Sequence, residues 1–340
     1  MEDVDCDGVY GAEWRGGESY MEVGAIEDID GHSGRGWRMK ELVKKCRASV
    51  KRDVWISSVT KATSRGERPI SDKVLKNLLG GIKYYGCDVI SQQSAPKTIV
   101  ETLKARMHEP DWIVVFKSLS VLHYLMRETV SQPFIDLVLK NKEELLFLGS
   151  AEAEASAKGL DNGALIASYA KYLLAYCRSK ESVNYPPLKN NLNDPYANYE
   201  KLFYRQFESM ESPELVDTIP CIMSCCSQLV SVEFTFLEDI SIAPFTTHLI
   251  VRDFLHFWSS IEVAVRRVYE LSNKSSGLDA AEEQILAQYD ALCKEAKLAC
   301  FDLRCLECSK WTMPKLHGTE ALMASVDNAE AINSIGSYYY

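Results

Sequence analysis

A chain of 340 residues that is 46% hydrophobic and 25% charged is long enough to bury a sizeable core and has the composition of a soluble globular protein. No apolar run approaches the roughly 18 residues of a membrane span, and the acidic N-terminus lacks the apolar stretch of a signal peptide. Eleven cysteines without such a signal argue for free thiols in a reducing compartment, hence a cytoplasmic address.

The net charge of −10 conceals a segregation. Residues 1–30 carry ten acidic side chains and one Arg, whereas residues 31–86 carry fourteen Lys/Arg against four Asp/Glu. Scattered apolar residues, many glycines and no clear period make 1–36 an expected disordered acidic head. From Trp37 the signals turn helical. "WRMKELVKKCRASV" sets Trp37, Met39, Leu42, Val43, Cys46 and Val50 near one face. Lys40, Lys44, Lys45, Arg47 and Lys51 fill the remainder, giving a basic amphipathic helix that either meets an anionic membrane surface or packs its apolar face on the domain with its charges solvated.

"KATSRGERPISDK", 61–73, places Lys61, Arg65, Arg68 and Lys73 in thirteen residues with one Gly and one Pro, a basic junction between helices. "SDKVLKNLLGGIKYYG" is the next helix, with Ser71 or Asp72 as N-cap. "SAPKTIVETLKARMHEPD" starts another near Ala95-Pro96 and stops before Pro110. "DWIVVFKSLSVLHYLMRET" is apolar on nearly every side. Its opening WIVVF resembles a buried strand, but the run's length favours a buried central helix. "QPFIDLVLKNKEELLFLG" and "ALIASYAKYLLAYCRSK" add two helices, and "YPPLKNNLNDPY", 185–196, is a linker. "ANYEKLFYRQFESM" and "SPELVDTIPCIMSCCSQL" open the second half. "VEFTF", 232–236, alternates like a strand but has no evident partner, so it too reads as helix. Ile250, Phe254, Phe257, Trp258, Ile261, Val265 and Val268 step by three and four, as do Ile285, Tyr289, Leu292, Ala296, Ala299 and Leu303 after "SNKSSG". Two long helices and a short polar loop read as an antiparallel hairpin. The expected fold class is all-α, with no fixed-period repeat.

Catalytic and metal chemistry find little support. Cys300-x4-Cys305-x2-Cys308 matches three ligands of a plant-type iron–sulfur cluster, but the residues continue a helical pattern where a cluster needs a looped chain. Cys221, Cys225 and Cys226 read as core thiols. The six histidines form no zinc spacing, and His123 is expected as a hydrogen-bonded core residue. No phosphate-binding loop, dinucleotide fingerprint or nucleophile elbow is present, so no enzymatic activity and no cofactor are expected. "LVSVE", 229–233, has the form of a clathrin-box ligand, although such ligands work extended and exposed, and "YMEV", 20–23, that of a tyrosine sorting signal. Nucleic acid is a poor partner, because the chain is acidic overall and its basic region lacks interleaved aromatics.

Three segments together, "SVTKATSRGERPISDK", "DWIVVFKSLSVLHYLMRE" and "YAKYLLAYCRSK", resemble the ANTH domain of clathrin-assembly adaptors in the ENTH/ANTH superfamily. Lys61-Ala62-Thr63, Pro69, Trp112, Lys117, Leu119, His123 and Tyr169/Tyr172-Leu173 match in order and spacing. The resemblance implies a right-handed helical solenoid over 37–184, ENTH/VHS-like, a linker at 185–196, a long-helix half over 197–325 and a short tail, 326–340. It further implies a peripheral adaptor of clathrin-mediated endocytosis and clathrin coat assembly that binds phosphatidylinositol bisphosphate in the cytoplasmic leaflet. Its expected partners are clathrin, other coat adaptors and SNARE cargo, at plasma-membrane coated pits, coated vesicles and the Golgi.

In that family a Lys opens the loop and a basic cluster follows the Pro. Lys61 matches the first, but Ile70-Ser71-Asp72-Lys73 leaves only Lys73 in a cluster position, where the family has His. Arg65, Arg68 and Lys76 are therefore expected to supply the missing phosphate contacts, with Trp112, Lys117 and His123 as scaffold. The chain also ends without the long motif-rich tail usual in the family, which suggests membrane or cargo binding without direct clathrin recruitment. The alternative is a helical protein–protein scaffold that has lost its lipid site.

Overall fold

The computed structural model describes residues 53–85, 94–129, 131–147, 162–182, 206–207, 209–232, 242–274, 277–305 and 316–327. The acidic head, the basic helix 37–52, the linker, most of 197–210, residues 233–236 of VEFTF and the tail from 328 lie outside them.

Every regular element among the described residues is a helix, so the all-α expectation holds. We label them α1 (53–62), α2 (Asp72–Tyr85), α3 (Ala95–Met107), α4 (Trp112–Glu128), α5 (Gln132–Leu145), α6 (Asn162–Ser182), α7 (Ser212–Val230), α8 (Ala243–Lys274), α9 (Ala280–Cys305) and α10 (Thr319–Asp327). The starts follow local chemistry. Asp111 caps α4 by accepting from Ile113 and Val114 N–H, and prolines lie in the first turns of α3, α5 and α7. Asp279 accepts from Ala281 and Glu282 N–H while the Glu282 carboxylate accepts from Asp279 N–H, a reciprocal capping box at the start of α9.

Each of α2, α3, α4, α5, α6 and α7 packs on a helix one or two places before it, α5 on α3 and α2 on α1 through Trp55, in the manner of a stacked array. α4 is the hub, touching α2, α3, α6 and α8, and residues 114–123 are buried without interruption. That explains why its sequence is apolar on all sides and why the strand-like WIVVF is helical: it is enclosed by other helices. In the second half α7 lies against both α8 and α9, which touch each other less. The face it presents, Leu215, Ile219, Ile222, Cys226 and Leu229, is buried. The shared core joins Trp258 of α8 to Tyr289 of α9, with ring centroids 5.8 Å apart.

Between α1 and α2 the chain reverses. The indole of Trp55 lies against the Gly81 backbone so closely that a Cβ there would stand 2.5 Å from Trp55 Cη2. At 1.5 Å per residue, Lys61, six residues beyond Trp55, comes level with Leu75, six residues before Gly81. The connection carrying the basic residues thus lies at one end of this pair.

Candidate functional site

The junction between α1 and α2 is short of helical hydrogen bonds from 64 to 70, yet its first half is fastened from beneath. Thr63 closes α1 by donating its N–H to Val59 O. The Arg106 guanidinium from α3 donates Nε–H to Thr63 Oγ1 at 2.9 Å and a second N–H to Thr63 O. Lys117, from α4 and only 1% exposed, drives its ammonium up to donate to Ser64 O at 3.0 Å and Gly66 O at 2.7 Å. Desolvation lowers the Lys117 pKa and the Asp111 carboxylate opposes that shift. Between the two held carbonyls the chain folds tightly, and Gly66 takes φ +85°, a left-handed conformation that a side chain would strain. Past Gly66 the loop is anchored by Ile70, which is buried.

This clamp sorts the cations. Lys61 is in the last turn of α1, not in the loop where its sequence context suggested, and Lys73 and Lys76 share one face in the first turns of α2. Arg68 is in the loop. All four are exposed, and among the described residues no ion pair engages them. Arg65 differs: its guanidinium turns toward the α3–α4 junction, 3.7 Å from both Glu109 Oε2 and Asp111 Oδ2, though it remains 73% exposed. The helix positions Lys40, Lys44, Lys45, Arg47 and Lys51 fall outside the described residues. Sequence reasoning took Lys117 as scaffold without a task and passed over Arg106. A lysine isolated within an apolar helix was the available signal for the first; nothing in the local sequence marked the second.

Beneath the loop, polar groups from α4, α6 and α8 meet in the core. His123 Nε2 lies 2.6 Å from Asp253 Oδ2, its Nδ1 lies 2.9 Å from the Tyr169 hydroxyl, and Tyr172 donates to the same Asp253 oxygen. Arg127 pairs with Asp253, and Arg252 with Glu128 at 3.1 Å. Two carboxylates and two guanidiniums already balance, so a proton on His123 would leave an excess positive charge. Burial first, then Arg127 and Arg252, hold the His123 pKa well below its usual value. A carboxylate only accepts, so neutral His123 carries its proton on Nε2, and Nδ1 accepts from Tyr169 O–H. His123 is therefore the core histidine expected, and the network bolts α8 to the first half of the array. Ser120 and Thr246 hydroxyls meet at 2.7 Å nearby.

The clathrin-box-like stretch packs inward, and YMEV and Cys308 lie outside the described residues. Leu229 and Val232 of the clathrin-box-like stretch are buried. Cys300 and Cys305 lie on the continuous backbone of α9, and Cys177, Cys225 and Cys226 are buried free thiols; burial raises the pKa of Cys225 and lifts that of Cys177 to about 12. No described helix is long and apolar enough to cross a membrane.

The described residues define an all-helical array with an exposed basic connection between its first two helices, and no constellation for catalysis is found among them. The family model of the ANTH domain matches residues 56–291, and the chain belongs to the ANTH-domain family. That family is one of phosphoinositide-binding endocytic adaptors, not enzymes. A comparison with curated proteins gives no match.

Proposed function

We propose that this chain is a peripheral membrane adaptor that binds phosphatidylinositol bisphosphate through Lys61, Arg68, Lys73 and Lys76 and acts at clathrin-coated pits. The observation that carries the reading is the set of four exposed cations, without an ion pair among the described residues, around a loop whose backbone is held by Lys117 and Arg106. Phosphate oxygens accept charge-assisted hydrogen bonds from such groups, and the first-turn amides of α2 beside Lys73 add donors. Arg65 is the least available contributor, since it answers to Glu109 and Asp111; an exposed pair of that kind is weak and yields readily to a stronger anion. The basic helix 37–52 would add a second, less selective attachment to the anionic leaflet, at about 1 kcal/mol per engaged cation. Clathrin, other coat adaptors and SNARE cargo are the partners this reading assigns.

Co-sedimentation with phosphatidylcholine vesicles, with and without phosphatidylinositol bisphosphate, tests the reading. Pelleting should require the phosphoinositide and be lost in Lys61→Glu/Lys73→Glu. Pelleting indifferent to both would leave only nonspecific attraction through 37–52, and no pelleting at all would favour a protein–protein scaffold.

A further inference from the structure

The junction between α1 and α2 also carries a serine that the lipid-binding reading leaves unused. Ser71 is exposed, and among the described residues no hydrogen bond engages its hydroxyl. Its carbonyl accepts from Val74 and Leu75 N–H, which sets Ser71 at the N-cap of α2. Arg65 and Arg68 precede it by six and three residues, both exposed, on a stretch without helical hydrogen bonding. An Arg three residues before a serine is what a basic-directed kinase reads with its own carboxylates, through the bidentate pairing that guanidinium favours. We propose that Ser71 is a phosphoacceptor for such a kinase and that its phosphorylation switches off the surrounding cationic surface. The second half of this inference rests on the phosphoinositide-binding reading above.

The step needs ATP. Ser71 Oγ attacks the γ-phosphorus, the new O–P bond forms as the bond to the bridging oxygen breaks, ADP leaves, and the hydroxyl proton passes to the catalytic carboxylate of the kinase. The product carries about −1.5 to −2 charges at neutral pH. It stands at the positive end of the α2 dipole, where the amide of Lys73 has no partner within the helix, with Arg68 three residues before it and Lys73 two residues after it in the chain. Both cations are thereby drawn to an internal anion. Lys61, Arg68, Lys73 and Lys76 against Glu67 and Asp72 leave a local excess of two positive charges, which the phosphate cancels. Removing two charges beside an anionic leaflet weakens vesicle affinity about 30-fold.

The test uses the full chain carrying Ser49→Ala, because Arg47-Ala48-Ser49 is a second serine led by Arg. The protein is treated with the catalytic subunit of a cyclic-AMP-dependent kinase and ATP, the phosphate is located by peptide mass spectrometry, and vesicle binding is measured before and after. Phosphate on Ser71, absent in Ser71→Ala, with binding reduced about 30-fold and restored by phosphatase, supports the proposal. Absence of phosphate from Ser71, or phosphorylated chain that binds as the unmodified chain does, overturns it. Unmodified chain that ignores phosphoinositide vesicles refutes the lipid reading and the regulatory half with it, while the mass measurement still decides whether Ser71 is an acceptor.

Discussion

Lys117→Met is the substitution that most directly separates an ordered headgroup loop from a merely basic one. Methionine keeps the length and apolar stem of lysine, so the packing within α4 is largely retained. What disappears is the ammonium that holds Ser64 O and Gly66 O. A hydrogen bond from a charged donor contributes about 1.5–3 kcal/mol, so two such bonds set an upper bound of about 6 kcal/mol. Ser64 and Gly66 are exposed residues, and water can re-solvate their carbonyls once the loop lifts. The expected loss is therefore about 3 kcal/mol, less than a fully buried pair would cost. For a domain of this size each kcal/mol lowers Tm by about 2–4 °C, giving a fall of about 6–12 °C by calorimetry or circular dichroism. Lys117 is buried and cannot itself reach a headgroup. Vesicle binding measured well below the lowered Tm therefore reports on loop order, and should weaken at least 10-fold. A Tm within about 2 °C of the parent would show that the clamp contributes nothing to stability. Unchanged phosphoinositide binding in a demonstrably loosened loop would show that charge alone, not the fixed backbone, recruits the lipid.

Two further outcomes follow from the geometry. Gly80→Ala meets nothing within 4 Å and should stabilise the chain by about 0.5–1 kcal/mol through helix propensity, whereas Gly81→Ala must displace the Trp55 indole and should destabilise it by about 1–3 kcal/mol; chemical denaturation of the pair checks this, and equal effects would contradict the described α1–α2 contact. Stability should also fall in acid: the fold holds His123 and His256 neutral with pKa values well below 6.5, so as pH falls through the unfolded value the unfolded chain binds protons that the native state refuses, costing about 2 kcal/mol for the two between pH 6.5 and 5.5 and less than about 1 kcal/mol above 6.5. Urea midpoints that do not drop between pH 7.5 and 5.5 would place protonated histidines in the core.

The fold was legible in the sequence because the helical signals are local. Periodicity in α8 and α9, prolines in first turns, and the length of the apolar run in α4 each report on neighbours three or four residues away. The candidate site was legible only as composition. Lys61, Arg68, Lys73 and Lys76 could be named as cations, but whether each was free depended on partners far along the chain. Arg65 is claimed by Glu109 and Asp111, more than forty positions on, and nothing in "TSRGERP" records that. Likewise Asp253 reads as one polar residue in a periodic helix, and only the fold reveals that His123, Arg127 and Tyr172 converge on it.

That convergence bears on the site above it. Lys117 and His123 lie on the same helix, six residues apart, one facing the loop and the other facing Asp253 of α8. α4 is therefore fixed at both points by polar contacts that a sliding or rotating helix could not keep. A core held by apolar packing alone tolerates small shifts of register, because dispersion is non-directional. Paired buried charges do not: losing one partner strands the other in a low-dielectric interior at a cost of about 3–5 kcal/mol. The network thus matters less for the amount of stability it adds than for the single position it permits to α4. Lys117 inherits that position, and through Ser64 and Gly66 so does the loop. The proposed headgroup surface has fewer cations after Pro69 than the resemblance implies, so it depends the more on the fixed backbone between α1 and α2, which Lys117 holds from the same helix that His123 ties to Asp253.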